Sequence, residues 1–232
     1  MVLPVYNEAE NLPILWGEID AVLTTLGRTA EIIIVDDGST DGSADVARKL
    51  AAGDSRVRLC RLAQNSGLTA AFWVGFSRVR ADIVVTMDAD LQNDPADLPV
   101  LLDALQDCDA VIGWRWQRHD SLVKRLSSRV GNGVRNCLTG DRVNDSASSF
   151  RVMRRACLSA IPPYAGMHRF VPTLLRIAGF RVREVRVRHR PRRFGQSKFG
   201  IGNRAWRGLH DLLVVRWMMH RRLHYVIESE ER

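Results

Sequence analysis

Two carboxylates separated by one residue, Asp88 and Asp90, directly follow the apolar run Ile83-Val84-Val85-Thr86-Met87. At the end of a buried strand such a pair can turn toward one point, and oxygen ligands of this kind favour a hard cation, Mg²⁺ or Mn²⁺. Gln92 adds a neutral oxygen donor on the same turn. A divalent ion held there would bridge phosphate oxygens and neutralise charge on a departing diphosphate. Two more polar, turn-rich segments repeat the plan: Pro4-Val5-Tyr6-Asn7-Glu8, and Asp36-Asp37-Gly38-Ser39-Thr40-Asp41-Gly42. Each alone reads equally well as an Asx turn or a helix cap. Their shared position after strand-like runs is what argues for one site.

The elements that must carry these segments are legible from periodicity. Short runs rich in β-branched residues lie at Met1 to Val5, Glu31 to Val35, Val57 to Leu62, Asp82 to Met87 and Asp109 to Gly113. Helical spacing fills the gaps at Asn11 to Leu26, Ser43 to Ala52, Leu68 to Val79 and Ala96 to Leu105. Doubly buried strands that alternate with helices predict an α/β fold with a mainly parallel sheet. Ligands of such sheets sit beyond the carboxyl ends of the strands. Further on, Leu122, Leu126 and Val130 recur at helical spacing in a basic stretch. Arg181 to His189 reads as an edge strand, and a basic turn from Arg192 to Lys198 precedes an amphipathic helix from about Ile201 to Tyr225. The expected division is a catalytic unit over residues 1–200 and a basic helical segment over residues 201–232.

Charge is distributed unevenly. Residues 1–110 hold 8 basic and 18 acidic residues, a balance of −10, whereas residues 111–232 carry +18. Of the 34 basic residues 31 are arginine, whose planar fork suits phosphate oxygens. An acidic half followed by a basic half suits metal chemistry beside an anion-binding surface. The four cysteines form no ligand spacing, and no apolar run reaches the length of a bilayer, so a reduced, cytoplasmic setting is expected.

Taken together, these segments resemble the family 2 glycosyltransferases, and within them the branch of dolichyl-phosphate mannose synthases and bacterial undecaprenyl-phosphate sugar transferases. The pieces that carry the resemblance are the three strand-end segments together with Asn65-Ser66-Gly67, Gly113-Trp114-Arg115, Asp145 with Ser148-Ser149-Phe150-Arg151, and Arg192 through Gly195 to Ser197-Lys198. Ser149 stands where the family commonly has glycine. The resemblance implies a GT-A, Rossmann-like fold and an inverting transfer of sugar from a UDP- or GDP-sugar to a polyprenyl phosphate. It implies that Pro4, Tyr6, Glu8, Val35 and Asp37 hold the base and ribose, and that Asp88, Ala89, Asp90 and Gln92 surround the metal and diphosphate. Arg115 would meet the phosphates, Arg192 and Lys198 would close over the donor, and Asp145 matches an acidic position treated as catalytic. Lys124, Arg125 and Ser128 would grip the acceptor phosphate.

A phosphomonoester is already anionic near neutral pH, so it needs positioning and desolvation more than a strong base. Two other readings compete. One gives the transferase a soluble saccharide or protein acceptor. The other is a basic nucleic-acid-binding protein, which the −10 balance of residues 1–110 and the lack of a recognition motif oppose. The expected location is peripheral, at the cytoplasmic face of the cell membrane, through the basic helices or a membrane partner. The stripe Leu209, Leu213, Trp217 equally suits packing on its own domain or a homo-oligomer.

Overall fold

The computed structural model describes residues 1–116, 131, 133–141, 143–195 and 202–221, with the backbone alone for 202–207, 209 and 220. Seven strands form one sheet in the order β3-β2-β1-β4-β6-β5-β7. They are β1 (Val2–Val5), β2 (Ile32–Asp36), β3 (Val57–Arg61), β4 (Ile83–Thr86), β5 (Ala110–Arg115), β6 (Arg151–Arg154) and β7 (Val182–Val187). The helices are α1 (Asn11–Leu26), α2 (Ser43–Gly53), α3 (Leu68–Phe76), α4 (Leu98–Ala104), α5 (Val171–Ile177) and α6 (Gly202–His220). Residues 133–139 are also helical.

Alternate side chains of the strands feed two apolar layers. On one face Leu3, Val5, Ile32, Ile34, Val85, Met87 and Val111 pack with Leu12, Leu15 and Ile19 of α1 and Leu98 and Leu101 of α4. On the other face Val2, Ile33, Val35, Val84 and Ala110 pack with Phe72 and Phe76 of α3, Leu174 and Leu175 of α5, and Leu212 and Val215 of α6. Burial on both faces is why these strands are continuous β-branched runs rather than alternating ones. Helix α3 lies so close to β1 that a Cβ on Gly75 would stand 2.2 Å from Val2 Cγ1. Helix α1 ends at Gly27, whose left-handed φ of 59° lets its N–H reach Thr24 O at 3.1 Å.

The parallel arrangement agrees with the periodicity except at β6. This strand runs antiparallel between β4 and β5, with Thr86 opposite Arg151 and Ile112 opposite Arg151 on the other side. Four residues flanked by arginines give no strand signal by pattern, so only the fold reveals it. β7 is the edge strand, parallel to β5, with Ile112 opposite Glu184 and Arg115 opposite Val187. The expected helix through Leu122, Leu126 and Val130 lies outside the described residues. In α6, Leu212 and Val215 are buried, whereas Leu213 and Trp217 are 54% and 61% exposed. The helix therefore packs on its own domain with one face and presents the two apolar side chains outward. Among the described residues no helix is long and apolar enough to cross a membrane.

Candidate functional site

The loops that follow β1 and β2 are joined by side chains standing in for backbone partners. Asn7 N–H donates to Ser39 Oγ at 2.9 Å, and Asn7 Oδ1 accepts from Thr40 N–H at 2.8 Å. Glu8 N–H donates to Ser43 Oγ at 2.8 Å, and Asp41 accepts from Ala9 N–H at 3.1 Å. Asn7 does this with φ 54°, a conformation that asparagine tolerates better than most residues. The β2 loop braces a third segment through Asp37, whose Oδ1 accepts from Ser66 N–H at 2.7 Å and whose Oδ2 accepts from Gly67 N–H at 2.9 Å. Each of these oxygens retains acceptor capacity.

Beside Asp37, Gly38 adopts φ +70°, and a Cβ there would lie 2.5 Å from the backbone carbon of Gln64. Left-handed strain and overpacking against backbone add, so Gly38→Ala is expected to destabilise the fold by roughly 2–4 kcal/mol. Urea unfolding checks this; a parent-like midpoint would show that the loops can move apart freely.

The segment after β4 is bent by Leu91, a buried leucine held at φ 61°. Such a conformation costs about 1–2 kcal/mol for a residue with a Cβ. The bend brings Gln92 N–H to Asp90 Oδ1 at 3.1 Å. The facing segment after β7 meets it through alternate arginines. Arg188 pairs with Asp94 at 3.0 Å and Asp97 at 2.8 Å, and Arg190 with Asp94 at 2.7 Å and Glu18 at 2.8 Å. Arg192 reaches Asp90 Oδ2 at 2.6 Å and Glu8 Oε1 at 3.4 Å. Arg190 N–H also donates to Gln92 O at 2.8 Å. Two of these arginines anchor the segment, and the third carries its charge into the carboxylate pair.

Asp88 lies in a poorly solvated place beside the carboxylate of Asp90. Burial, followed by the like charge of Asp90, pushes its carboxyl up to about 6, against a hydrogen bond from Ser149 and the nearby charges of Arg115 and Arg151. A pair of oxygen donors on one turn fits a divalent cation; in this conformation Arg192 bonds Asp90, and the charges of Arg115 and Arg151 lie near Asp88. Among the described residues no three His, Cys, Asp or Glu side chains are grouped to hold an ion. Two carboxylates completed by substrate phosphates and water are the usual arrangement for Mg²⁺.

On the other side of Asp88, Arg115 and Asp145 form a two-pronged pair. Arg115 Nε donates to Asp145 Oδ2 at 2.6 Å and Nη2 to Oδ1 at 2.8 Å. Arg151 lies fully buried beneath, its pKa pushed down to about 10 by burial although Asp88 and Asp145 oppose the shift. Its Nη2 donates to His168 O at 2.7 Å.

The sequence-predicted residues therefore sort by location. Asp37, Glu8, Asp88, Asp90, Gln92, Arg192, Arg115 and Asp145 lie along the carboxyl edge of the sheet, with Tyr6 half-buried beside them. Pro4 and Val35 face one another in register on β1 and β2 with buried side chains, and Val35 is also paired with Cys60 of β3, so both lie within the sheet below the loops rather than at its edge. The Ala89 methyl packs into the apolar layer beneath α1. Lys124, Arg125, Ser128 and Lys198 lie outside the described residues. Ser149, which stands where the family commonly has glycine, bonds to Asp88 through its hydroxyl and accepts from Asn93 Nδ2 at 3.4 Å, a role that the sequence did not reveal. A glycine would supply neither contact.

The sequence model described as Glycosyl transferase family 2 matches residues 1–161. The chain belongs to glycosyl transferase family 2. It is 33% identical over 225 residues to a dodecaprenyl-phosphate galacturonate synthase of Rhizobium johnstonii, covering 94% of this chain and 66% of that protein. It is 36% identical over 203 residues to an undecaprenyl-phosphate 4-deoxy-4-formamido-L-arabinose transferase of Edwardsiella ictaluri, covering 87% of this chain and 62% of that one. The chain thus spans somewhat less than two thirds of the length of these curated relatives.

Among solved structures, the family 2 fold recurs in a glucosyl-3-phosphoglycerate synthase from Mycobacterium tuberculosis, in complex with Mn²⁺, UDP-glucose and phosphoglyceric acid. There the TM-score is 0.70 at 21% identity, covering 93% of this chain and 78% of that one. A mannosyltransferase from Pyrobaculum calidifontis in complex with GDP-Man and Mn²⁺ gives a TM-score of 0.60 at 21% identity, covering 97% of this chain and 64% of that one. Both likenesses concern the fold.

Proposed function

We propose that this family 2 transferase moves a sugar, with inversion, from a nucleoside-diphosphate sugar to a polyprenyl phosphate at the cytoplasmic membrane face. The observation that carries the reading is the pairing of two charge systems on one sheet edge: the Asp88/Asp90 carboxylates with Arg192, and the partly buried Arg115 with the buried Asp145. Similarity to polyprenyl-phosphate sugar transferases supports the acceptor class.

In this reading the loops around Tyr6, Glu8 and Asp37 receive the nucleoside, with Pro4 and Val35 in the strands that carry those loops. Asp88 and Asp90, with Gln92 on the same turn, hold Mg²⁺ or Mn²⁺. Such an ion would supply positive charge to offset that of the leaving diphosphate. Arg192, released from Asp90, turns its guanidinium to the diphosphate, and Lys198 follows on the same segment. Arg115 and Asp145 orient the acceptor phosphate, delivered by Lys124, Arg125 and Ser128. The phosphate oxygen attacks the anomeric carbon opposite the departing diphosphate, so no general base is required.

Thermal shift with UDP and GDP, each with and without Mn²⁺, checks the donor half. At a hundredfold excess over Kd, a ligand specific to the native state adds about 2.7 kcal/mol. For a domain of this size that raises Tm by roughly 5–10 °C. Transfer from the stabilising donor to polyprenyl phosphate, compared with a soluble saccharide, checks the acceptor half. Preference for the saccharide would replace the lipid reading with the soluble one.

Membrane docking rests on the +18 balance of residues 111–232 and on Leu213 and Trp217 facing outward. Each basic residue near an anionic leaflet contributes about 1 kcal/mol. Flotation with anionic vesicles is expected at low salt and lost at high salt. Failure to float at low salt would assign membrane contact to a partner protein.

A further inference from the structure

Asp145 sits in the irregular segment between the helical residues 133–139 and β6, where no backbone ladder fixes its position. Its placement beside Arg115 must come from side chains that grip residues 143–146. Among the described residues four do so: Arg135, Asn136 and Arg151 donate to oxygens of the segment, and Glu184 alone accepts from its N–H groups. The Arg135 guanidinium donates to Val143 O at 2.7 Å and to Ser146 Oγ. The Glu184 carboxylate accepts the complementary donors: Asn144 N–H at 2.9 Å, Asn144 Nδ2 at 2.9 Å and Asp145 N–H at 2.8 Å.

Glu184 is the single acid in the stretch Arg181 to Arg190, which otherwise alternates arginine with valine before His189. On an exposed edge strand whose neighbours carry so much positive charge, an isolated carboxylate gains nothing from solubility. Its register explains it. Glu184 lies opposite Ile112 on β5, three residues before Arg115 on the same strand. β5 and β7 thus deliver the two groups that hold Asp145: Arg115 takes the carboxylate, and Glu184 takes the peptide N–H of the same residue. A carboxylate accepting from backbone N–H groups makes strong, charge-assisted bonds of fixed direction.

We infer that Glu184 is a positioning residue of the transfer reaction, acting through Asp145 without touching substrate. The inference rests on the proposed role of Asp145 at the acceptor phosphate. Misplacing a reacting group by about 1 Å can cost on the order of 100-fold in rate. Glu184→Ala is therefore expected to lower kcat by about 10–100-fold. The donor Kd, measured calorimetrically with Mn²⁺ and the preferred nucleoside diphosphate, should stay at the parental value. Glu184→Gln keeps one acceptor oxygen, so its loss should be intermediate.

A double-variant cycle with Asp145→Asn separates this role from a merely structural one. If Glu184 acts through Asp145, Glu184→Ala/Asp145→Asn is no slower than Asp145→Asn alone. Multiplicative losses, or parental kcat in Glu184→Ala, overturn the inference. Amide hydrogen exchange supplies a readout independent of the reaction: in Glu184→Ala the amides of residues 144 and 145 should exchange at least about tenfold faster, with distant strands unchanged. If the parent transfers no sugar to polyprenyl phosphate, the functional reading fails, and unchanged exchange at 144 and 145 would then overturn the anchoring by itself.

Discussion

Asp90→Asn is expected to lower turnover at least about 1000-fold, some 4 kcal/mol of transition-state stabilisation, while leaving the fold intact. The fold should survive because the amide oxygen can still accept from Gln92 N–H, the bond that fixes the bend at Leu91. What the amide cannot supply is charge. It draws Arg192 less strongly, and it leaves Asp88 without the carboxylate that makes the pair a cation site. Mn²⁺ titration by electron paramagnetic resonance should show weakened binding, and nucleotide affinity should lose its dependence on the ion. An Asp90→Asn protein with parental turnover would dissolve the assignment of this pair to the metal.

Arg115→Met should damage stability as well as activity. The Asp145 carboxylate is buried and both its oxygens are engaged by the Arg115 guanidinium, so removing that guanidinium takes away a two-pronged, charged partner in a poorly solvated place. Breaking such a pair from one side costs about 3–5 kcal/mol. At this chain length that corresponds to a fall in Tm of roughly 6–20 °C. Removing both charges, as Arg115→Met/Asp145→Leu, is expected to restore most of the stability and none of the transfer. If the double variant is as unstable as the single one, the pair is not where the energy lies.

The residues differ in how readily sequence alone exposed them. β1, β2, β4 and β5 announce themselves as near-continuous apolar runs, β3 as a shorter edge run broken by Arg58 and Arg61, and α1 by its stripe to bury. Asp88 and Asp90 follow from that, since the end of a recognised strand is also a location. β6 escapes because its four residues carry arginine at both ends, and a fully buried Arg151 in mid-sheet contradicts any hydrophobic template. Asp37 was legible as a site residue but not as a brace, because its bonds to Ser66 and Gly67 join segments 29 and 30 residues away. Glu184 was illegible for a similar reason. Only the parallel register of β5 with β7 sets it near Asp145.

The antiparallel insertion of β6 also constrains the order in which the chain can acquire its structure during synthesis. By the time Arg115 leaves the ribosome, β3, β2, β1 and β4 can pair as a parallel unit, but β4 has an open edge and β5 has no neighbour. Only β6, arriving with residues 151–154, joins them, and β7 then covers the far side of β5. An unpaired, apolar strand edge is an aggregation hazard while it lasts, and pairings of high sequence separation form slowly. Half-made chains of this protein are thus expected to be good chaperone clients, and truncations before Arg154 to be insoluble even though they contain the whole Asp88/Asp90 segment.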